Sequence, residues 1–233
     1  MRAAILSLLI AGAYGASWDK VDQEIPGDDN GDLSGWSVDT SADGSVVVIG
    51  TPKNSEDDPS ASSTAGGDGH VRVYRLVGGA WTQKGSTITE DGSSDVTHDQ
   101  FGYSVAISAD GDTIAIGEPV HYKSGGIVST YYGKVHIYKF ENDDWTNSAS
   151  IQGTPTGFAT SYRFGHSVSL SDDGGTVAVG SPDHPKGTVH AYRGSGYQPF
   201  GAAIEGDANG DKFGTSVSLS SDGQYLAVGA IDS

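Results

Sequence analysis

The sequence predicts an all-β fold assembled from repeated four-stranded antiparallel units, and three observations predict it. The first is composition. Among 233 residues there are 35 glycines and 24 Asp against 6 Glu, so turn formers are abundant while the residues that fill surface helices are scarce. The second is an Asp-Gly pair recurring at Asp43-Gly44, Asp110-Gly111, Asp173-Gly174 and Asp222-Gly223, each a hairpin signal between two apolar runs. The third is internal repetition, which is the mark of a repeat architecture. The stretch from Phe101 to Pro119 aligns without gaps to Phe164–Pro182 and to Phe213–Ile231, and a looser copy runs from Ser34 to Pro52.

Taken from the N-terminus, residues 1 to 16 carry one positive charge, at Arg2, then an apolar run and small residues at Ala13 and Gly15. This is a signal-peptide pattern, expected to end at residue 15, and the run is shorter than the roughly 20 apolar residues of a membrane span. Polar Ser17-Trp18-Asp19-Lys20 follows directly. No later segment is apolar enough to span a membrane, so the expected location is extracellular, secreted or at the cell surface. There is no cysteine and no Asn-x-Ser/Thr acceptor site. A core built from some 200 residues does not require disulfides. The net charge of −17 repels phosphate backbones and argues against nucleic-acid binding.

Residues 16–233 form the expected domain, with repeats starting near 34, 101, 164 and 213. In each, a first strand alternates bulky and bare residues: Phe101, Tyr103, Val105 and Ile107 point one way, and Gly102, Ser104, Ala106 and Ser108 the other. Glycine inside a strand weakens it unless another backbone must come close, so the bare face predicts a tightly apposed neighbouring sheet. After the Asp-Gly turn comes a second strand, Thr113 to Glu118 in this copy. A third strand follows at Gly69-His70-Val71-Arg72-Val73-Tyr74, Gly133-Lys134-Val135-His136-Ile137-Tyr138 and Gly187-Thr188-Val189-His190-Ala191-Tyr192. A fourth opens on Trp81, Trp145 or Tyr197 and ends on Ile88, Ile151 or Ile204. Units of four strands recurring every 49 to 67 residues match the blades of a β-propeller, with a β-sandwich as the runner-up. Trp18 to Ile25 repeats the fourth-strand pattern ahead of any first strand, and the last copy stops after two strands, at Ser233. The expectation drawn from this is a propeller truncated at its C-terminus.

Phe-Gly-x-Ser-Val followed by Gly-x-Pro, as in Phe101-Gly102-Tyr103-Ser104-Val105 with Gly117-Glu118-Pro119 and Phe164-Gly165-His166-Ser167-Val168 with Gly180-Ser181-Pro182, resembles the FG-GAP repeat, the blade unit also found in integrin α-subunit heads. The likeness covers nearly all of the chain after the leader, with departures at Ser34-Gly35 and at Ala230-Ile231. It implies an extracellular propeller with binding or adhesion as its role. Integrin-type repeats place a calcium loop of Asp-x-Asp-x-Asp-Gly type between the first two strands, whereas here that link is Ser-Ala-Asp-Gly or Ser-Asp-Asp-Gly. So short a turn does not supply six to eight oxygens to Ca²⁺, and those calcium sites are not expected.

Alternation also sorts the links. Those from first to second and third to fourth strand share one end of the blades and are short, while those from second to third and from fourth to the next first strand share the other end and are long. Long links on a rigid scaffold are where binding resides. The binding candidates there are His121, Tyr122, Tyr131, Tyr132, Asp57 and Asp58. The same end carries alternating oxygen side chains at Asp28, Asn30 and Asp32, at Asp91 and Asp95, and at Asp207, Asn209 and Asp211. These are candidate Ca²⁺ ligands, though ordinary Asx turns are the favoured reading. No other cofactor is expected. The seven histidines read as structural or incidental: His136 and His190 share one repeat position, and His121 and His184 follow Gly-x-Pro in separate repeats.

No nucleophile elbow, phosphate loop, dinucleotide fingerprint or His-Glu-x-x-His is present. The favoured reading is a non-enzymatic propeller binding an extracellular protein or glycan through its long-loop face. The alternatives are a propeller hydrolase or lyase acting on polysaccharide or phosphoester, marked by close carboxylates in a deep pocket, and an architectural repeat region of a larger surface protein.

Overall fold

A computed structural model describes residues 5–6, 9–10, 19–20, 23–27, 32–52, 69–90, 100–120, 122–123, 130–131, 133–153 and 162–232. The described residues form β-strands, turns and links with no helix among them. In repeat 1, Ser37–Thr40, Val46–Thr51 and His70–Val77 pair in order, and a fourth strand is split into Ala80–Gln83 and Ile88–Thr89. In repeat 2 the order is Ser104–Ile107, Thr113–Glu118, Lys134–Glu141 and an unbroken fourth strand, Asp144–Gln152. Repeat 3 comprises Ser167–Leu170, Thr176–Ser181, Thr188–Arg193 and a fourth strand split into Gln198–Pro199 and Ile204–Glu205. Repeat 4 contributes one hairpin, Ser216–Leu219 with Leu226–Gly229. All these pairings are antiparallel. At the N-terminus, Leu9–Ile10 pairs with Asp19–Lys20 and Ile5–Leu6 with Ile25–Pro26.

The sheets stack in sequence order through their first strands, repeat 1 on 2, 2 on 3 and 3 on 4. They make a row, and the described residues do not close it into a ring. A separate apolar core fills each joint. Between repeats 1 and 2, Val46, Val48, Val71 and Val73 meet Val105, Ile107, Ile114, Ile116 and Trp145, with Ile88 and Phe101 between them. Between repeats 2 and 3 the same positions recur, including Ile151 and Phe164. A third core covers the outer side of repeat 1, where Ile25 lies against Val47, Ile49 and Trp81. Ile25 thus occupies the place that Ile88 and Ile151 hold in the later joints. Gln23 supports it by donating to the Trp81 carbonyl at 3.0 Å and accepting from the Trp81 N–H at 2.5 Å. Ile25 and Gln23 thus take a fourth-strand place against repeat 1, although the described strands Asp19–Lys20 and Ile25–Pro26 pair with residues 9–10 and 5–6 rather than with a third strand.

The bare face does what its residues predict. Gly50, Gly117 and Gly180 lie one residue before the ends of the second strands, and a Cβ on any of them would lie 2.1 Å from the carbonyl of Gly102, Gly165 or Gly214 in the next repeat. Ser37, Ser104 and Ser167 donate to those same three carbonyls, each at 2.8 Å. The Gly of Phe-Gly is held open by φ near +90° at Gly102, Gly165 and Gly214, the third position of a turn that requires it. Each joint is thus stitched by a serine hydroxyl entering a space kept clear by two glycines.

Two details of the first strand differ from the sequence reading. The strand begins at Ser104 rather than Phe101, because Gln100 to Tyr103 is a turn closed by the Tyr103 N–H on the Gln100 carbonyl at 3.0 Å. The Asp-Gly hairpin is also longer than two residues. Ser108 and Thr113 still exchange a backbone bond, and the four residues between them are shaped by Ser108 Oγ, which donates to Asp110 at 2.5 Å and accepts from the Thr113 N–H at 2.9 Å.

Candidate functional site

At the end of the sheets from which the long links leave, the variable residue of the Phe-Gly-x-Ser motif lines up across repeats. Trp36 lies 5.5 Å from Tyr103, ring centre to ring centre, and Tyr103 lies 5.1 Å from His166. The Tyr103 hydroxyl and His166 Nε2 are 3.3 Å apart, and the Arg163 guanidinium stands over the Tyr103 ring at 4.9 Å. Trp36 is 53% exposed and its two partners are half-buried. Arg163 is kept in position by a left-handed backbone, φ 49°, which aims its carbonyl at the His166 N–H. The equivalent residues Leu33, Gln100 and Lys212 share this conformation. It is uncommon for non-glycine residues, and here a repeated turn imposes it. Burial, and then the charge of Arg163, hold the His166 imidazole below its usual pKa.

A cavity of about 380 Å³ lies between repeats 2 and 3, within the size range of ligand pockets. The neighbour of Arg163 in the chain, Tyr162, lines it and packs against His184, ring centres 5.0 Å apart. Ser181, Thr188, His190, Tyr192 and Glu205 add to the lining. Burial, and then His184, push the His190 pKa down, while burial pushes the Tyr192 hydroxyl up to about 12. Both groups are therefore neutral at pH 7, and the cavity presents hydroxyls, imidazole and aromatic faces.

A comparison of repeats explains why the cavity exists. In repeat 2 the same place is filled: the Glu118 carboxylate meets His136 Nε2 at 2.6 Å, both side chains fully buried, and His136 Nδ1 meets Ser150 Oγ at 3.2 Å. In repeat 1 it holds Thr51, Arg72 and Thr87, with Arg72 Nε donating to Thr87 at 3.3 Å. Repeat 3 places Ser181, His190 and Ala203 at these positions, so the imidazole loses its carboxylate and its hydroxyl. The fourth strand there also departs from the third between Pro199 and Ile204, whereas in repeat 2 it is unbroken apart from a bulge opposite Ile137 and Tyr138. Space opens for both reasons.

Of the binding candidates drawn from sequence, His121, Tyr132, Asp57 and Asp58 lie outside the described residues. Tyr122 and Tyr131 face each other in the register of a short hairpin between the second and third strands of repeat 2. Among the oxygen-rich spacings, Asp28, Asn30, Asp91 and Asp95 lie outside the described residues. Asp32 and Asp211 are buried and engaged in turns: Asp32 accepts the Ser34 N–H at 3.0 Å and Asp211 the Ala208 N–H at 2.7 Å. Asp207 and Asn209 are exposed beside Gly210. Among the described residues no group of three or more His, Asp or Glu side chains is placed to hold a metal ion.

The sequence reading set aside His184 and His190 and passed over Trp36, Tyr103, Arg163 and His166. A usable signal was present: an aromatic or imidazole ring at the variable position of three successive motifs. Residues 81–138, from the fourth strand of repeat 1 to the third strand of repeat 2, match the FG-GAP repeat family. No curated protein matches the chain.

Proposed function

We propose that this FG-GAP repeat protein is an extracellular, propeller-like binding module that recognises a protein or glycan through the end of its sheets carrying the long links. The observation that carries this reading is the row of Trp36, Tyr103, Arg163 and His166 across three repeats, with the Tyr162–His184 cavity between repeats 2 and 3 beside it as a second feature. Trp, Tyr and Arg are the side chains most enriched at binding hot spots, and sheets stitched by serine and glycine give them a rigid base. The FG-GAP repeat is found in adhesion-like extracellular proteins, and among the described residues no helix is long and apolar enough to cross a membrane. The hydrolase alternative calls for facing carboxylates, and the described lining holds one, Glu205.

The test is a binding screen of the folded chain against immobilised extracellular glycans and matrix proteins, with Trp36→Ala and Tyr103→Ala run beside it. Each substitution is expected to weaken any hit by about thirtyfold, the effect of losing a hot-spot side chain worth about 2 kcal/mol. Hits that both variants retain in full would place recognition elsewhere.

A further inference from the structure

Repeats 2 and 3 hold one imidazole in the same way, and repeat 2 alone supplies its carboxylate. His136 meets the edge of the Phe101 ring at 5.3 Å and 61°, and His190 meets Phe164 at 5.9 Å and 66°. Each histidine lies on the third strand in register with the second, opposite Ile116 or Val179. The second strand of repeat 2 ends on Glu118, whose carboxylate reaches His136 Nε2 at 2.6 Å. That of repeat 3 ends on the much shorter Ser181. Among the described residues the His190 ring packs on Phe164 and Tyr192 and makes no hydrogen bond.

The cavity of about 380 Å³ is bounded by both Ser181 and His190, so it opens on the side of the ring that Glu118 covers in repeat 2. Much of its wall is apolar or aromatic, with Ile151, Tyr162, Phe164 and Tyr192 among the lining. His184 also lines it and has a buried Nδ1 with no hydrogen-bond partner among the described residues. Besides burial, His184 is the one group that moves the His190 pKa, so the two imidazoles are near each other. Glu205, the carboxylate of the lining, is exposed and has no such effect on His190. A neutral imidazole has one N–H to donate, and a carboxylate has two oxygens to accept. Hydrogen bonds to an ionised acceptor are the strong ones, and they gain most where water is excluded. Two unpartnered imidazoles behind apolar walls are therefore matched by one carboxylate on an apolar body.

We propose that this cavity binds a small monocarboxylate with an apolar body, its carboxylate accepting from His190 in the place that Glu118 holds in repeat 2. The site is separate from the row of Trp36 and Tyr103, so it stands or falls independently of the binding role assigned to that row.

The test is titration calorimetry of the full chain with benzoate and with benzamide, its neutral counterpart of the same shape. Physiological ionic strength, with a Debye length of about 8 Å, screens much of the net charge of −17. Benzoate is expected to bind, and benzamide about tenfold more weakly or worse, the loss of one charge-assisted hydrogen bond. Ser181→Glu, which restores the internal carboxylate, is expected to abolish benzoate binding. His190→Phe, which keeps the ring and removes the donor, is expected to weaken it about tenfold or more. Circular dichroism confirms that each variant is folded, and if Ser181→Glu does not fold, His190→Phe decides alone. Trp36→Ala is expected to leave benzoate binding unchanged, which separates this site from the row. A wild-type chain that ignores benzoate at millimolar concentration overturns the proposal. So does equal affinity for benzamide, which marks an apolar cavity indifferent to charge, and so does benzoate binding that survives in the folded variants.

Discussion

At the residue scale the joints depend on atoms that are missing. Gly117 has φ in the ordinary range, so its identity is set by contact alone: a Cβ would lie 2.1 Å from the Gly165 carbonyl and 2.2 Å from Ser104 Oγ. The carbonyl belongs to backbone and cannot swing aside. Gly117→Ala must push two sheets apart, and overpacking of this kind costs about 1–3 kcal/mol. The chemically identical Gly229→Ala meets only the Ser216 side chain, which can rotate. Urea denaturation should show a clear loss of midpoint for the first and little change for the second; equal losses would mean that strand entropy, not sheet contact, explains the glycine. The buried pair behaves differently. Glu118→Ala leaves the buried His136 Nε2 without its hydrogen-bond partner, and an unsatisfied buried group of this kind costs about 1–3 kcal/mol, which the same urea series would measure.

At the scale of the element, each hairpin uses one aspartate to shape its turn. Asp43, Asp173 and Asp222 accept from a backbone N–H two residues on and from the hydroxyl two residues before, at 2.6 to 3.0 Å. The backbone bond from Ser45, with hydroxyl donors beside it, lowers the Asp43 pKa to about 2; the hydroxyls of Ser171 and Ser220 lead the downward shifts of Asp173 and Asp222. A carboxyl whose folded pKa lies below its unfolded value of 3.8 contributes stability that is complete above that value and is lost as pH falls through the folded pKa. Stability should therefore fall between about pH 4 and pH 2. In Asp43→Asn, Asp173→Asn and Asp222→Asn combined, the fall should be shallower, as read from urea midpoints at stepped pH; an unchanged slope would shift the origin to other carboxyls. Here the sequence was legible in one respect and not in another. Asp-Gly announced each turn, but its length was hidden because Ser108 and its equivalents read as ordinary strand residues, and only the folded turn shows them bonding across it. Alternation likewise revealed the bare stitching face, yet it grouped Tyr103 with Phe101. The turn at Gly102 separates them, sending Phe101 into the core and Tyr103 into the row with Trp36 and His166. The cavity was beyond pattern reading altogether, since it arises from what Ser181 and Ala203 lack relative to Glu118 and Ser150.

At the scale of the whole molecule, charge and histidine act in different pH ranges. A net charge of −17 over 233 residues disfavours the compact state through self-repulsion at neutral pH, and salt screens it, with a Debye length of about 8 Å at physiological ionic strength. His166 and His190 carry pKa values below 6.5, burial being the main cause in both. The unfolded chain binds protons at these positions before the folded one does, so their neutral forms contribute stability that is present above pH 6.5 and is lost as pH falls through the folded values. Mild acid thus relieves repulsion and at the same time removes the histidine contribution. The two are separable by salt. Near pH 7, raising ionic strength should increase the melting temperature; near pH 5 the salt effect should shrink as carboxyls begin to protonate, while His166→Gln and His190→Gln combined should flatten the loss between pH 6.5 and pH 5. A melting temperature that ignores salt at neutral pH would mean that the aspartates are already neutralised locally by their turns. An unaltered acid slope in the double variant would assign that range to other groups.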